Sequence, residues 1–142
     1  MKWITRERAQ VDRVACPWLI SRFLDPNPEF IYVPATKCWP KPQCERRRRM
    51  MWRVWSSDAL LRKYGLEGKD SALDRVALIV RGADTAAKDL TPESRGLDAI
   101  AGGFQRMEIS DPEELKWEFP LYDALYVYCG GRWPIPRPTE GV

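Results

Sequence analysis

Hydrophobic positions along the chain follow two different periods. Residues 29–33 (Glu-Phe-Ile-Tyr-Val) form a nearly continuous apolar run, which predicts a strand covered on both faces. Residues 3–5 predict a shorter strand because they are rich in β-formers. Elsewhere the apolar residues recur at spacings of three and four, as they do in helices. The pattern predicts one helix-dominated α+β domain, with about five to six helices and a small sheet of about two to three short strands.

The helices predicted after residue 56 begin with recognisable capping residues. Ser57 is the predicted N-cap of a helix over residues 58–64. Ser71 opens the next helix in a sequence that resembles a capping box, and Gly82 is its predicted C-terminal stop. These signals place two consecutive helices in the middle of the chain.

Two further helical regions follow. Thr91 is the predicted cap of the first. Pro120 is expected to divide the second into residues 112–118 and 120–129, because a proline interrupts the backbone hydrogen bonds of a helix. The faces predicted to be buried are Leu73, Val76, Ala77 and Val80; Leu97, Ile100, Ala101 and Phe104; and Leu121, Ala124, Leu125 and Tyr128.

The stretch around Pro17 concentrates the candidate chemistry. Proline suits the first turn of a helix, so the sequence predicts a short helix that begins near Pro17. Cys16 would then lie where backbone N–H groups and the helix dipole favour a thiolate, and Arg13 and Arg22 would add positive charge. The alternative is that Cys16 is a small buried hydrophobic residue and that the arginines form a solvated face.

Composition narrows the class of protein. The 142 residues carry a net charge of +3, which is too small to demand nucleic acid as a partner. No apolar run approaches the length of a membrane span, and the first residues lack the apolar region of a signal peptide, which predicts a cytoplasmic protein without membrane contact. The four cysteines are interpreted as free thiols. Without histidine, no metal site and no cofactor are predicted.

Two more polar clusters join the one around Pro17, namely residues 79–85 and residues 122–126. Together the three clusters supply arginine, tyrosine, hydroxyl groups and a helix N-terminus, which are the donors that bind a tetrahedral oxyanion. Helix-end chemistry explains each residue singly, but their combination predicts a ligand site. Its candidate residues are Asp12, Arg13, Cys16, Trp18, Arg22, Arg81, Asp84, Tyr122 and Asp123.

Five motifs in the same order resemble the C-terminal domain of the chromate-resistance regulator ChrB. They are residues 12–20, 30–34, 60–66, 79–85 and 121–126. The resemblance implies a ChrB-like domain over residues 1–131, followed by a proline-rich, flexible tail over residues 132–142. It also implies a role in the chromate response, by sensing the oxyanion, regulating an efflux operon or nearby thiol chemistry. The family's N-terminal region, which usually has the DNA-binding role, has no counterpart here, so nucleic acid is not an expected partner.

These observations lead to one main hypothesis and two alternatives. The main hypothesis is a binding or regulatory domain rather than an enzyme, in which Arg13, Arg22 and Arg81 hold chromate or a similar dianion beside Cys16. The first alternative is a thiol-dependent oxyanion reductase with Cys16 as the attacking thiolate. The second is a non-catalytic assembly domain that forms a homo-oligomer and has no small ligand.

Residues 38–57 depart from the family pattern. Tryptophan, proline, cysteine and arginine crowd together there without period, and Arg46–Arg49 only superficially suggests a nucleic-acid patch. We predict that this segment is translated out of frame. When the codons of residues 50–52 are read in the shifted frame, the only possible product is Asp-Val. This agrees with the family's segment at that place. A second lesion near Ser57 would restore the frame and remove the family's histidine and second thiol, and the coding DNA can test this.

Overall fold

The computed structural model describes residues 2–7, 11–34 and 56–138. Five helices and two strands in these ranges confirm the predicted helix-dominated α+β class. The out-of-frame prediction concerns residues that lie almost wholly outside them, so it stays a prediction. The elements in chain order are β1 (Lys2–Arg6), α1 (Val11–Leu19) with a π-helical continuation (Ile20–Leu24), β2 (Glu29–Val33), α2 (Ser57–Lys63), α3 (Ser71–Asp84), α4 (Ser94–Arg106) and α5 (Asp111–Tyr128).

The two strands form a parallel pair, with Trp3 opposite Phe30. Parallel neighbours need a crossover connection, and α1 supplies it. The indole Nε1 of Trp3 donates to Asp25 at 2.9 Å, which ties β1 to the turn that leads into β2. Both predicted strands are confirmed, but β2 is not covered on both faces as predicted, since residues 30–33 are only half-buried and Glu29 is exposed.

Helix α1 is the centre of the core. It contacts α2, α3, α4 and α5, and its residues Val14, Trp18 and Leu19 are almost fully enclosed. The predicted inner face of α3 is also confirmed, since all four of its residues are buried. The enclosed position of α1 means that polar side chains on it must find partners inside the protein.

The predicted start of α1 is wrong. The helix begins at Val11, and Pro17 lies inside it rather than in its first turn. An interior proline removes one backbone hydrogen bond, and the chain relaxes directly afterwards into the π-helical segment, where the N–H of Asp25 reaches the carbonyl of Ile20 at 2.8 Å. The extensive burial of α1 stabilises a helix that proline alone would weaken.

The other helix boundaries differ from the predictions by smaller amounts. Ser56 rather than Ser57 caps α2, and Asp70 rather than Ser71 caps α3. Gly82 does not stop α3, which continues to Asp84. A Cβ atom at Gly82 would lie 2.2 Å from the hydroxyl oxygen of Ser94, so this glycine is needed for the close contact between α3 and α4.

Helix α5 contradicts two predictions. It runs unbroken through Pro120, and its buried face carries Tyr122 and Tyr126 instead of Leu121 and Tyr128. The two buried tyrosine rings pack against Trp18 at centroid distances of 5.8 and 6.1 Å, and this aromatic contact fixes the orientation of α5. Within the described part of the chain, no helix has both the length and the apolar character needed to cross a membrane.

Candidate functional site

Asp12 joins three helices at one corner of the domain. Its Oδ1 accepts hydrogen bonds from the backbone N–H and the hydroxyl of Ser57, both at 3.0 Å, which links the first turns of α1 and α2. Its own backbone N–H donates to the carboxylate of Asp84 at the end of α3. Burial raises the pKa of Asp12, and the nearby charge of Asp84 acts in the same direction, although the hydrogen bonds from Ser57 oppose both.

Cys16 lies one turn along α1 from this junction. Its thiol donates to Asp12 Oδ1 at 3.6 Å, and only 8% of the residue is exposed. Burial raises the pKa of Cys16 well above its ordinary value, and the negative charges of Asp12, Asp84 and Asp58 raise it further. Cys16 is the sixth residue of α1 and faces carboxylates, so it does not lie at the helix N-terminus where the sequence placed it. A raised pKa disfavours the thiolate on which the reductase alternative depends.

Two of the candidate arginines lie at this same corner. Arg81 Nε donates to Asp58 Oδ2 at 2.8 Å, and the Arg81 side chain remains 46% exposed. Arg13 donates from Nη1 to the carbonyl of Glu7 at 3.0 Å. Burial raises the pKa of Asp84, while the positive charges of Lys88 and Arg13 lower it in part. The corner thus combines two guanidinium groups with three carboxylates.

A small cavity adjoins the corner. Its volume is about 30 Å³, which gives room for about two water molecules. The residues that line the cavity include Trp3, Thr5, Asp12, Arg13, Cys16 and Leu60.

A second group of candidate residues lies at the other end of α1. The buried carboxylate of Asp123 accepts hydrogen bonds from Trp18 Nε1 at 2.8 Å and from Arg22 Nε at 2.9 Å, while Arg22 Nη2 donates to its other oxygen at 2.9 Å. Tyr122 donates to the carbonyl of Val11 at 3.0 Å. This group is a structural connection between α1 and α5, in which the polar atoms already have partners.

The structure therefore separates the three arginines that were predicted to act together. Arg13 and Arg22 are nine residues apart, which corresponds to about 13 Å along a helix. Arg22 is occupied by Asp123, whereas Arg81 pairs with Asp58 and the charge of Arg13 acts on Asp84. The candidate anion site is reduced to the corner formed by α1, α2 and α3.

Residues 3–129 match the family described as ChrB, C-terminal domain. The chain belongs to this family. The protein named ChrB in Cupriavidus metallidurans is 29% identical over 133 residues, which is 89% of this chain. The match spans only 40% of the length of that relative. No solved structure matches the chain.

The ChrB motifs recognised in the sequence meet one another in the fold. The first motif contacts the last through Asp123, and it contacts the fourth through Asp84. The third motif begins in α2, whose Ser57 is bound by Asp12. Family membership implies an association with chromate resistance. Among residues 2–7, 11–34 and 56–138, no group of three or more histidine, cysteine or acidic side chains is placed to hold a metal ion.

Sequence reasoning missed two groups of polar residues. Ser57 was assigned only a capping role, and its bond to Asp12 depends on a contact across 45 positions. Glu114 and Glu118 are buried on α5, and each has one oxygen without a hydrogen-bond partner. Burial, with an acidic neighbour in each case, raises the pKa of both to about 7. Their spacing of four, which places both on one face of a helix, was the available signal.

Proposed function

We propose that the chain is a cytoplasmic ChrB-type domain that binds chromate or a similar oxyanion and acts in regulating the chromate response. Family membership over residues 3–129 carries this proposal. The proposed location is the corner of α1, α2 and α3, where Arg81 pairs with Asp58 and the charge of Arg13 acts on Asp84. The proposed role is binding rather than catalysis, because the thiol nearest to the corner is buried and its surroundings raise its pKa.

The state of Arg81 supports the location. Its Nε is held by Asp58, while the side chain remains well exposed. A guanidinium group that is already oriented loses little freedom when its terminal nitrogens bind an oxyanion, and arginine forms paired hydrogen bonds to such ligands. Arg22 is less available, since its Nε and Nη2 are both engaged by the buried carboxylate of Asp123.

The acidic residues of the corner make the proposed binding depend on pH. Burial raises the pKa of both Asp12 and Asp84. As the pH falls, these carboxylates become protonated earlier than ordinary aspartates, and their repulsion of an anion is removed. We expect the affinity for a fully ionised probe, sulfate, to increase as the pH is lowered toward the range in which aspartates titrate.

Calorimetric titration with chromate and with sulfate tests the proposal. Arg81→Ala and Arg13→Ala should each weaken the Kd for chromate about tenfold, because each removes a charged hydrogen-bond donor. Arg95→Ala is the matched control, since Arg95 also makes a single Nε bond to an aspartate, Asp89, at 2.7 Å on a different helix. A wild-type protein that binds neither anion, or equal affinities in Arg81→Ala and Arg95→Ala, would overturn the proposal.

A second measurement separates binding from catalysis. Chromate absorbance is followed with an excess of an added thiol, in the wild-type protein and in Cys16→Ser. Binding without catalysis predicts equal and slow loss of chromate in both proteins. Reduction that continues beyond one equivalent in the wild type and stops in Cys16→Ser would show a reductase and refute the non-catalytic role.

A further inference from the structure

The two halves of α5 are attached to the rest of the domain in different ways. After Pro120, the side chains of Tyr122 and Asp123 bond to α1, and that of Tyr126 bonds to the residue that caps α3. Before Pro120, residues 111–119 meet β2 instead. We call residues 111–119 the α5 arm. The arm therefore depends on a different contact from the rest of its helix.

The contact between the α5 arm and β2 is loosely packed. A cavity of about 350 Å³ lies where they meet, and the side chains that line it include Phe30 and Tyr32 of β2 and Leu115 and Phe119 of the arm. α5 packs chiefly against α1 and α3, and β2 is not one of its main neighbours. Side chains that face a cavity lose the dispersion contacts that a filled space would give them. The loss of those contacts weakens the docking of the arm.

Pro120 marks the boundary between the two halves of the helix. Proline has no backbone N–H, so residue 120 donates no hydrogen bond to the carbonyl of residue 116. Sharp bends in helices concentrate at proline, because a bend there breaks no bond from that position. α5 is unbroken in the structure, but Pro120 is the position at which the arm can move independently of the second half.

The α5 arm buries two carboxyl groups. Glu114 and Glu118 are 4% and 1% exposed, and each has one oxygen without a hydrogen-bond partner. Their spacing of four residues places both on one face of the helix, one turn apart. Buried polar atoms almost always have a partner, so these two exceptions require an explanation. If both groups ionise, the docked arm holds two like charges away from water, which is unfavourable.

The groups that face this pair are acidic or neutral. On the arm itself, the charge of Asp111 acts on Glu114, and the charge of Glu114 acts on Glu118. From β2, burial and the charges of Asp111 and Glu114 raise the pKa of Tyr32 to about 12, so its hydroxyl stays protonated. On the side of α1 and α3, the titratable groups that share the surroundings of Glu118 are Tyr122, Asp12, Cys16 and Asp84.

Positive charge does not compensate the pair within the described part of the chain. Lys116 is exposed on the arm, and neither it nor any described arginine is among the groups that act on Glu114 or Glu118. Two buried carboxyl groups without a cation remain neutral by holding protons. The docked arm thus binds protons more tightly than an arm whose carboxyl groups are in water.

We propose that the α5 arm is a pH-sensitive element, which stays docked on β2 while Glu114 and Glu118 hold protons and moves away by bending at Pro120 when they ionise. A rise in pH favours the open arm, because the open arm releases protons to the solvent that the docked arm retains. Opening uncovers the apolar cavity beside Phe30 and Tyr32. This inference does not depend on anion binding.

Hydrogen–deuterium exchange, resolved by peptide, tests the proposal at about pH 5.5 and about pH 8.5, on either side of the pKa of about 7 of the two carboxyl groups. Labelling times are corrected for the pH dependence of exchange in an unstructured chain. We expect the amides of the α5 arm to lose protection at least about tenfold at the higher pH, and to be less protected there than those of residues 121–128. Protection of the arm that does not change with pH, or equal protection on both sides of Pro120 at the higher pH, would overturn the proposal.

Substitution of the buried pair tests the trigger. The double variant Glu114→Gln, Glu118→Gln has no group to ionise on this face, so protection of the arm should no longer depend on pH. Glu113→Gln is the matched control, since Glu113 is an exposed carboxylate on the same arm, and it should behave as the wild type. Circular dichroism verifies that both variants fold. A double variant that keeps the wild-type pH dependence, or a control that loses it, would refute the role of the pair.

Pro120→Ala tests the hinge with the two glutamates left in place. Alanine supplies the missing N–H, so bending at residue 120 must then break a backbone hydrogen bond. We expect protection of the α5 arm at about pH 8.5 to rise several-fold over the wild type. An arm that exchanges as fast as in the wild type would show that it does not open by bending at this residue.

Discussion

Arginine and aspartate pair at both ends of α1, but the two pairs have different roles. At the α5 contact, Arg22 and Trp18 together direct three donors at the buried carboxylate of Asp123. At the opposite corner, Arg81 has a single bond to Asp58 and stays half exposed. The difference teaches that an arginine beside an aspartate is a candidate ligand-binding residue only when some of its N–H donors are not already bonded within the protein.

The largest expected effect on stability comes from removing Asp123, the acceptor at the α5 end of α1. Asp123→Ala leaves the charge of Arg22 and the indole N–H of Trp18 without their acceptor, which should lower the free energy of unfolding by about 3–5 kcal/mol. Urea unfolding measures it. Asp58→Ala is the comparison at the open corner, and it should cost less than about 1 kcal/mol because its pair is partly exposed. Equal losses in the two variants would remove the distinction between the two ends.

Glu118 lies on the same helix as Asp123 but has an oxygen without a donor. Its pKa is raised from 4.5 to about 7, as is that of Glu114. Between these two pH values the folded state retains protons that the unfolded state has released, so the free energy of unfolding should fall as the pH rises from about 4.5 to 7. For Glu118 alone the loss is on the order of 3 kcal/mol.

Glu118→Gln should flatten this pH dependence and make the protein more stable than the wild type at pH values above about 7, because glutamine remains neutral. Glu108→Gln, at an exposed position, should reproduce the wild-type curve. Thermal or urea unfolding across the pH range measures the difference. Parallel curves for wild type and Glu118→Gln would show that burial does not perturb this carboxyl group.

A smaller effect is expected at the junction of α1 and α2. Ser57→Ala removes the hydroxyl that donates to Asp12 but keeps the backbone N–H, which should lower the free energy of unfolding by about 1 kcal/mol. Ser71→Ala is the control, since Ser71 is the exposed first residue of α3. If both variants lose the same free energy of unfolding, the bond to Asp12 contributes no more than an exposed serine in the first turn of a helix does.

The smallest effect on stability is expected at Arg81. Arg81→Ala removes an exposed ion pair and should change the free energy of unfolding by about 0–1 kcal/mol. The same variant is expected to lose anion affinity, so stability and binding should separate at this residue. A loss as large as that of Asp123→Ala would show that Arg81 is a structural residue like Arg22.

The sequence was informative where the signal is local. Both strands and the buried face of α3 follow from apolar spacing, because a side chain's face is set by its position in the element. The family was identified from its motifs and is confirmed. Pro17 and Pro120 misled the prediction, because the cost of an interior proline is offset by packing that lies far away in the sequence.

The candidate site was predicted only in its residue types. The bonds of Asp123 to Trp18 and Arg22 cross more than 100 positions, and no local pattern reveals which arginine they occupy. The face of α5 was wrong for a related reason, since both sides of that helix are apolar and the aromatic contacts of Trp18 decide between them. The local sequence pattern thus specifies which polar side chains the chain carries, and the tertiary contacts decide which of them are still able to bind a ligand.

The π-helical segment Ile20–Leu24 has a consequence for how relatives of this chain are aligned. A π turn accommodates one residue more than an α turn, so it is the form in which a helix retains a one-residue insertion. Removing that residue would return the turn to α geometry and leave the flanking residues in place, so only side chains inside the segment would change direction. Arg22 lies inside the segment. In a homologue that is one residue shorter there, the residue aligned with Arg22 therefore need not face the aspartate on α5, even where the flanking motifs are the same.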